Sequence, residues 1–275
     1  MAELQVLISA FGPRALERIA SLRHDSHPEV EYIVGWQKHE GAEIPRSLRE
    51  RKDFRILPLD STGLCNNRND LLAKAEARFV LTGDDDLIYT ERHLETALKG
   101  FRENPACHFL TFKYESEDYP KTYPDRSFNL KKPPRGYFLT SMELGLNLEK
   151  IRSDFGRNAV EFNPAFGVNG THFGSGEEDL LLASMLRKGM KGIFIPEYVC
   201  VNTDSTTSER IGHTREFIET KGAVITRIRP ATCHLRMLAH AHRAAKQGIP
   251  FFTYCKWWLS GAHKARKGKV FKNDR

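Results

Sequence analysis

The chain has 275 residues, of which 40% are hydrophobic and 28% are charged, a composition typical of folded globular proteins rather than disordered ones. No apolar run approaches the roughly 18–20 residues that a membrane-spanning helix needs. The net charge of +7 is uneven, because residues 227–275 hold twelve Lys or Arg and a single acid, which leaves the first 226 residues with a net charge of −4.

The first 115 residues alternate between predicted strands and helices. Apolar runs predict strands at residues 4–9, 30–36, 55–59, 78–82 and 108–114, and helical periodicity predicts helices at 15–22, 70–77 and 91–104. Residues 10–13 are predicted to form a turn, and Thr90 is predicted to cap the third helix. This alternation predicts an α/β fold, with a mostly parallel central sheet flanked by helices.

The pattern changes in the second half of the chain. Residues 115–136 are rich in proline and charge, which predicts a long loop of the kind that often carries function. A helix with acids in its first turn is predicted after Gly174-Ser175-Gly176, and a further strand at residues 192–196. Helices are predicted at residues 231–246 and from Pro250 onward.

The cysteines are scattered and odd in number, at Cys65, Cys107, Cys200, Cys233 and Cys255. No two of them form a C-x-x-C pair, which argues against a disulfide framework and against a zinc site. This usage fits a reducing compartment and predicts a cytoplasmic protein.

Three consecutive carboxylates, Asp84-Asp85-Asp86, follow the predicted fourth strand. Adjacent carboxylates repel one another and are tolerated in a folded site mainly where a cation or hydrogen-bond donors offset the charge. Acids at the carboxyl end of a buried strand therefore predict a divalent-metal site. The pattern also fits a nucleotidyltransferase, a phosphohydrolase or a solvated acidic loop.

Two further groups carry chemistry. Glu178-Asp179 stands at the start of a predicted helix behind a glycine-rich turn, where a carboxylate can accept a proton from an attacking hydroxyl. Arg68 lies in Asn66-Asn67-Arg68-Asn69, where a helix start with an arginine can receive phosphates or the polar edge of a nucleotide. Each also has a plain structural explanation, as helix-terminal acids and as N-cap chemistry beside a surface arginine.

As an ordered set, these motifs resemble glycosyltransferase family 2, in particular its bacterial branch that builds capsular, O-antigen and other surface polysaccharides. The resemblance rests on Ser9-Ala10-Phe11-Gly12, Val30 to Gln37, Gly63-x-x-x-x-Arg68-Asn69, Asp84-Asp85-Asp86 and Phe166-Gly167-x-Asn169-Gly170-x-x-Phe173-x-Ser175-Gly176-Glu177-Glu178-Asp179, with the later Gly189 and Ile195-Pro196. It covers roughly residues 4–208 and implies the Rossmann-like glycosyltransferase A fold.

The resemblance assigns roles residue by residue. Asp84 and Asp86 match an Asp-x-Asp motif that binds Mn²⁺ or Mg²⁺, and Asp179 matches the base of inverting transfer, with Glu178 as its alternative. The implied nucleotide-binding residues are Ser9, Ala10, Phe11, Gln37, Arg68, Asp84 and Asp85. Within this set, residues 9–11 are expected to form a loop lining the nucleotide pocket, and Arg68 to lie by the nucleobase.

The sequence departs from the family pattern at two places. Family members commonly carry an aspartate for the nucleobase after the second strand, where this chain has Gly35-Trp36-Gln37, so Gln37 is expected to substitute. Many members place a histidine ligand of the metal after the last core strand, where Val199-Cys200-Val201-Asn202 has none. His213 is the candidate third metal ligand, with His172 as an alternative.

The predicted domains are a catalytic domain over residues 1–226 and a basic helical tail over 227–275. Residues 1–115 would bind the nucleotide sugar, and residues 116–226 would hold the acceptor and catalytic groups. Aromatic and lysine residues on opposite sides of the last helix predict contact with an anionic membrane surface, whereas a terminal helix docked on the body is the alternative. No nucleic-acid-binding module is present.

The resemblance implies an inverting hexosyltransferase that uses a UDP-sugar donor and a glycan or polyprenyl-linked acceptor, at the inner face of the cell membrane. A nucleotidyltransferase using the same acids is an alternative, although the glycine- and lysine-rich phosphate loop of such enzymes is missing. An inactive membrane-associated scaffold is a second alternative.

Overall fold

The structure is a computed structural model that describes residues 2–118, 120–204, 214–268 and 270–271. The chain forms two compact units, and each is described by itself. The first takes in Met1–Thr62, Asn66–Glu161 and Met185–Ser205, and the second takes in Gly63–Cys65, Phe162–Ser184 and Thr206–Arg275. The domain boundary after residue 226 stays a prediction.

The first unit is built on one sheet, whose strands within the described residues are β1 (Leu4–Phe11), β2 (Val30–Gln37), β3 (Phe54–Leu59), β4 (Phe79–Asp84), β5 (Leu87–Ile88), β6 (Phe109–Glu115), β7 (Phe128–Asn129), β8 (Leu144–Asn147) and β9 (Gly192–Asn202). Their order is β3-β2-β1-β4-β8-β6-β9-β5, with β7 paired to β9. The first four strands in this order run parallel, and β6 runs parallel to β9. The predicted mostly parallel central sheet is confirmed.

The helices of the described ranges are α1 (Ala15–Ser21), α2 (Arg46–Arg49), α3 (Leu64–Lys74), α4 (Glu91–Glu103), α5 (Leu148–Phe155), α6 (Glu177–Arg187), α7 (Arg215–Ile228), α8 (Cys233–Ala245) and α9 (Phe251–Lys267). The buried side chains of α1 and α4 join those of β1, β2 and β4 in one hydrophobic cluster. Helices therefore cover the sheet, as the alternating sequence predicts. Thr90 caps α4, with His93 completing a capping box.

Two predicted element boundaries are wrong. Residues 10 and 11 end strand β1 instead of starting a turn, because they pair with Trp36 and Gln37 of β2. The helix predicted from Asp70 begins at Leu64, whose backbone N–H donates to the carbonyl of Val168 at 3.0 Å. An external acceptor for one of the unpaired N–H groups of a helix start removes the need for a side-chain cap at that group.

Strand β9 is longer than predicted, since it continues past Pro196 to Asn202. The pairing with β6 shifts register between Thr111 and Lys113, which face Phe194 and Tyr198 respectively. Proline is tolerated at such an irregularity because it has no N–H to donate to the ladder. In this extension Asn202 pairs with Leu87 of β5. Leu87 directly follows the three carboxylates Asp84-Asp85-Asp86, which form the acidic cluster.

In the second unit, helix α9 packs on α7 through two glycines. A Cβ atom on Gly222 would collide with the carbonyl oxygen of Trp258, and one on Gly261 would collide with the backbone of Glu219. Glycine at these positions lets the two helix backbones touch. Tyr254 and Trp258 of α9 are buried in this unit.

Within the described ranges, no helix combines the length and the apolar composition that crossing a membrane requires.

Candidate functional site

The predicted nucleotide-binding residues of the sheet gather at one edge of the first unit. Strands β1, β2 and β4 are parallel neighbours, so their carboxyl ends meet there. Phe11 pairs with Gln37, and Ser9 pairs with Asp84. Asp84 is the last residue of β4, and Asp85 and Asp86 form the turn to β5. The sheet therefore brings these predicted residues together as parallel pairing requires.

The arginine of helix α1 lies among the acids. Its guanidinium is 3.7 Å from Asp85, 4.0 Å from Asp86 and 3.1 Å from Asp204, which follows β9. The Arg18 side chain is 41% exposed. One partly exposed guanidinium therefore faces three carboxylates and can offset only part of their negative charge.

A second arginine holds Asp84. The Nη2 of Arg68 donates to Asp84 Oδ1 at 2.9 Å and to the hydroxyl oxygen of Ser141 at 2.6 Å, and the side chain of Arg68 is 2% exposed. Ser141 Oγ in turn lies 3.5 Å from the other oxygen of Asp84. Arg68 therefore contacts the acidic cluster directly, and its predicted place beside a nucleobase stays a prediction.

The other two acids are strongly desolvated. Burial, opposed by Arg18 and reinforced by the charge of Asp84, raises the pKa of Asp85 to about 6. Burial and the charge of Asp84 raise the pKa of Asp86 to about 7. Asp86 Oδ1 is also a buried oxygen that finds no hydrogen-bond partner among the described residues. An under-satisfied group of hard oxygen donors fits a divalent cation such as Mn²⁺ or Mg²⁺.

The described ranges hold no group of three His, Cys, Asp or Glu side chains arranged as a finished metal site. A cation would therefore draw its ligands from carboxylates that now face Arg18 and Arg68. His213, the predicted third ligand, lies outside the described residues. His172 lies in the second unit, where its Nδ1 is 2.9 Å from the hydroxyl of Thr171.

Beside the acidic cluster, Gly83 packs tightly against the ring of Tyr89. Tyr89 is fully buried, and its hydroxyl has no hydrogen-bond partner in the part of the chain that the structure describes. Burial raises the pKa of Tyr89 far above its usual value, so the phenol stays neutral. A Cβ atom at Gly83, the residue before Asp84, would lie 2.5 Å from this hydroxyl oxygen. The strand can pass over the ring only with glycine at this position.

Replacing Gly83 by alanine should destabilise the protein by about 1–3 kcal/mol, the usual cost of overpacking. The double variant G83A/Y89F should recover most of this loss, because the next atom of the ring, Cζ, is 3.5 Å from the added Cβ. Chemical denaturation of both variants measures the difference. A double variant as unstable as G83A would contradict the packing explanation.

Three of the predicted nucleotide-binding residues, Ala10, Phe11 and Gln37, lie at the ends of β1 and β2 and differ in exposure. Phe11 is 49% exposed, whereas Ala10 and Gln37 are buried. The amide of Gln37 donates to the hydroxyl of Ser61 at 2.9 Å. Phe11 can offer an aromatic face to a base, and it pairs with Gln37 at the end of β2.

The candidate base lies in the second unit. Glu177, Glu178 and Asp179 form the first turn of α6, where negative charge favours the helix dipole. Gly176 precedes them with φ +92°, a backbone conformation that glycine adopts without strain. Asp179 is exposed, and its charge acts on Lys221, whose pKa burial lowers and Asp179 raises. An exposed carboxylate beside a lysine can accept a proton.

Residues 12–162 match the sequence model of glycosyl transferase family 2, which is more than half of the chain. The chain belongs to glycosyltransferase family 2. A comparison with curated protein sequences found no match. Family membership makes the chain a glycosyltransferase, in agreement with the sequence resemblance, and favours sugar transfer over the nucleotidyltransferase alternative.

Two proteins of known structure have a fold similar to that of this chain. Residues 1–349 of S. aureus TarS superpose with a TM-score of 0.61 at 14% identity, over 98% of this chain and 92% of that chain. The same protein in complex with UDP-GlcNAc gives a TM-score of 0.59 at 14% identity, over the same shares of both chains. The mannosyltransferase PcManGT from Pyrobaculum calidifontis, in complex with GDP-Man and Mn²⁺, gives 0.53 at 14% identity, over 97% and 88%. This family 2 chain therefore has the predicted glycosyltransferase A fold.

Three residues at the acidic cluster were missed from the sequence: Arg18, Ser141 and Asp204. Arg18 carries a usable signal, because a helix that follows the first strand starts at the same sheet edge as the acids. Asp204 carries a weaker one, two residues after the end of β9. Ser141 has no local signal, since only the antiparallel insertion of β8 beside β4 brings it there.

Proposed function

We propose that this family 2 enzyme is an inverting, metal-dependent hexosyltransferase with a UDP-sugar donor. The observation that carries the proposal is the desolvated acidic cluster at the carboxyl ends of β1, β2 and β4. Its buried, unsatisfied Asp86 oxygen and raised carboxyl pKa values favour a ligand that brings positive charge.

Each residue of the cluster has a proposed task. Asp84, fixed by Arg68 and Ser141, would contact the ribose or the metal, and Asp86 would be the main metal ligand. Asp85, which lies 3.7 Å from the guanidinium of Arg18, would complete the nucleotide contacts. Phe11 would stack on the base. When bound, Mn²⁺ or Mg²⁺ neutralises charge on the leaving diphosphate.

The proton chemistry falls to a different acid. Asp179 is proposed to remove the proton of the acceptor hydroxyl as it attacks the sugar carbon, with Glu178 as the alternative base. In-line attack inverts the configuration at that carbon, and the bond to the diphosphate breaks as the new glycosidic bond forms. An exposed first-turn position leaves the Asp179 carboxylate accessible to a hydroxyl.

Purified protein should bind UDP at least tenfold more tightly with Mn²⁺ than with EDTA, because the cation screens the repulsion between the carboxylates and the diphosphate. Isothermal titration calorimetry of UDP and GDP, each with and without Mn²⁺, measures this. A thermal-shift series with UDP-sugars then ranks donors, since stabilisation follows mass action. Absence of binding to either nucleotide with Mn²⁺ or Mg²⁺ would refute the donor assignment.

The acceptor is proposed to be a glycan, carried on a polyprenyl lipid, in the synthesis of a capsule or O-antigen. The composition of the tail supports the proposal that this is a cytoplasmic enzyme that binds the membrane surface. Residues 233–267, which form helices α8 and α9 and the turn between them, hold seven Lys or Arg and no acid. The same helices expose large apolar side chains: Leu235, Leu238, Phe252 and Leu259. Basic and apolar groups together favour an anionic bilayer.

The structure changes which aromatic residues could reach a bilayer. Tyr254 and Trp258 are buried in the second unit, whereas Phe252 is 84% exposed. Phe252→Ser should therefore reduce flotation with vesicles of phosphatidylglycerol and phosphatidylcholine several-fold, because one aromatic anchor is lost. Lys52→Ser, an exposed lysine of the first unit, serves as a control for general charge. Equal flotation of Phe252→Ser and unaltered protein would refute this membrane contact.

A further inference from the structure

A buried ion pair lies in the first unit. Lys121 Nζ is 2.7 and 2.8 Å from the two carboxylate oxygens of Glu143, and the two side chains are 4% and 0% exposed. Lys121 also donates to the carbonyl of Phe138 at 2.7 Å. The hydroxyl of Tyr123 and the backbone N–H of Thr140 donate to the same carboxylate. Glu143 thus accepts from three separate groups.

A pair of this kind is weak evidence for stability. Removing two charges from water costs several kcal/mol per ion, and well-packed apolar residues of similar volume often serve the fold equally well. Burial raises the pKa of the Glu143 carboxyl, and the bonds from Lys121 and Tyr123 oppose this shift. The role of the pair is therefore better sought in what it holds in place.

The pair is connected to the acidic cluster by one short turn. Glu143 is the last residue of the 3-10 helix Ser141–Glu143. The hydroxyl of Ser141, two residues earlier, accepts from Arg68 at 2.6 Å and lies 3.5 Å from Asp84. Any displacement of Glu143 would therefore move a direct partner of the Asp84 carboxylate.

The turn is also tied to strand β4. The hydroxyl of Thr82 donates to the carbonyl oxygen of Ser141 and lies 3.2 Å from that of Leu144. Thr82 is two residues before Asp84 on the same strand. The turn is thus attached to the strand of the acids and, through Lys121, to the loop that follows β6.

We propose that Lys121 and Glu143 are positioning residues for the donor: they hold the 3-10 helix Ser141–Glu143, and thereby fix Ser141 and the carboxylate of Asp84. The inference rests on the proposed function, because it takes Asp84 to be a donor-binding group. It also implies that the donor site is energetically coupled to the loop that carries Lys121. The coupling runs through a chain of contacts that are all within hydrogen-bond distance.

The test compares Glu143→Gln with Glu219→Gln. Glu219 is a buried carboxylate of the other unit that pairs with the half-exposed Lys264, so its variant controls for the loss of a buried carboxylate charge. For Glu143→Gln we expect UDP, titrated with Mn²⁺ in a calorimeter, to bind about tenfold more weakly, within the ~2- to 30-fold range of network mutations. Glu219→Gln should bind UDP as the unaltered protein does. Equal UDP affinity of Glu143→Gln and unaltered protein would overturn the proposal.

A double-mutant cycle with Ser141→Ala tests whether Glu143 acts on the donor site through Ser141. If Glu143 acts through Ser141, the double variant S141A/E143Q should bind UDP no more weakly than the weaker single variant. Additive losses would overturn the proposed route. Should Glu143→Gln fail to fold, K121M/E143Q removes the stranded charge and takes its place. It should fold and still bind UDP about tenfold more weakly, and unaltered affinity in this variant would equally overturn the proposal.

Hydrogen exchange in ligand-free protein tests the positioning role of Glu143 independently of nucleotide binding. In ligand-free Glu143→Gln, amides of residues 140–145 and 82–86 should exchange faster than in unaltered protein, because the turn and strand β4 share bonds. Faster exchange at residues 120–124 alone would overturn the positioning role. If unaltered protein binds no nucleoside diphosphate, the proposed function fails, while the exchange result still decides whether Glu143 positions the turn.

Discussion

Asp86→Asn should lower the affinity for UDP in the presence of Mn²⁺ by at least about a hundredfold, with a comparable loss of sugar transfer. Loss of an outer-shell partner of a metal ligand typically costs 10–100-fold, and a direct ligand is expected to cost more. The amide keeps the shape of the side chain and removes the charge that a hard cation requires. Calorimetry with UDP and Mn²⁺, together with a transfer assay, measures both losses.

The same variant should not be less stable. Burial and the charge of Asp84 raise the pKa of Asp86 to about 7, so the ionised carboxylate is unfavourable in the ligand-free fold. A neutral amide removes this repulsion, and the melting temperature without metal should stay the same or rise. Asp125→Asn, at an exposed position, controls for the Asp-to-Asn change itself. Unchanged affinity in Asp86→Asn would exclude Asp86 as a metal ligand.

The acidic cluster could be predicted from the sequence because its acids directly follow the strand that positions them. An apolar run that ends in Asp84-Asp85-Asp86 identifies both the strand and the edge at which it ends. Parallel pairing then brings the ends of the preceding strands, with Ser9 and Gln37, to the same edge. Order and alternation of elements were sufficient for this part of the fold.

Element boundaries depended on partners that are distant in the sequence. Helix α3 begins six residues before the predicted start, and the carbonyl of Val168 supplies an acceptor at its first turn. Strand β1 takes in the predicted turn residues because β2 continues beside them. In both cases tertiary hydrogen bonds outweigh the local preference of the residues.

The supporting contacts of the site could not be read from the sequence. Ser141 reaches the acidic cluster only through the insertion of β8 between β4 and β6, and Glu143 follows it in the same turn. Lys121 lies in a proline-rich segment that carries no periodic signal. The last helix was likewise predicted only in part: its aromatic residues were expected to share one membrane-facing side, but Trp258 is buried whereas Phe252 is 84% exposed.

Asp179→Asn should reduce sugar transfer by about 10²–10⁴-fold while the affinity for UDP with Mn²⁺ changes less than about twofold. This range is the usual contribution of a positioned general base. The amide cannot accept the proton of the acceptor hydroxyl, whereas the acidic cluster of the first unit is untouched. A transfer assay with the donor that the thermal-shift series selects measures turnover, and calorimetry measures UDP binding.

Glu178→Gln is the matched control, since it removes one negative charge from the same first turn of α6 and costs the helix the same ~0.3–1 kcal/mol of dipole interaction. Equal melting temperatures for the two variants would show that any difference in turnover is chemical. Normal turnover in Asp179→Asn combined with a large loss in Glu178→Gln would transfer the role of base to Glu178. Normal turnover in both would remove this helix from the chemistry, because no other acid in its first turn is exposed: Glu177 is 4% exposed and its carboxylate is not accessible to an acceptor hydroxyl.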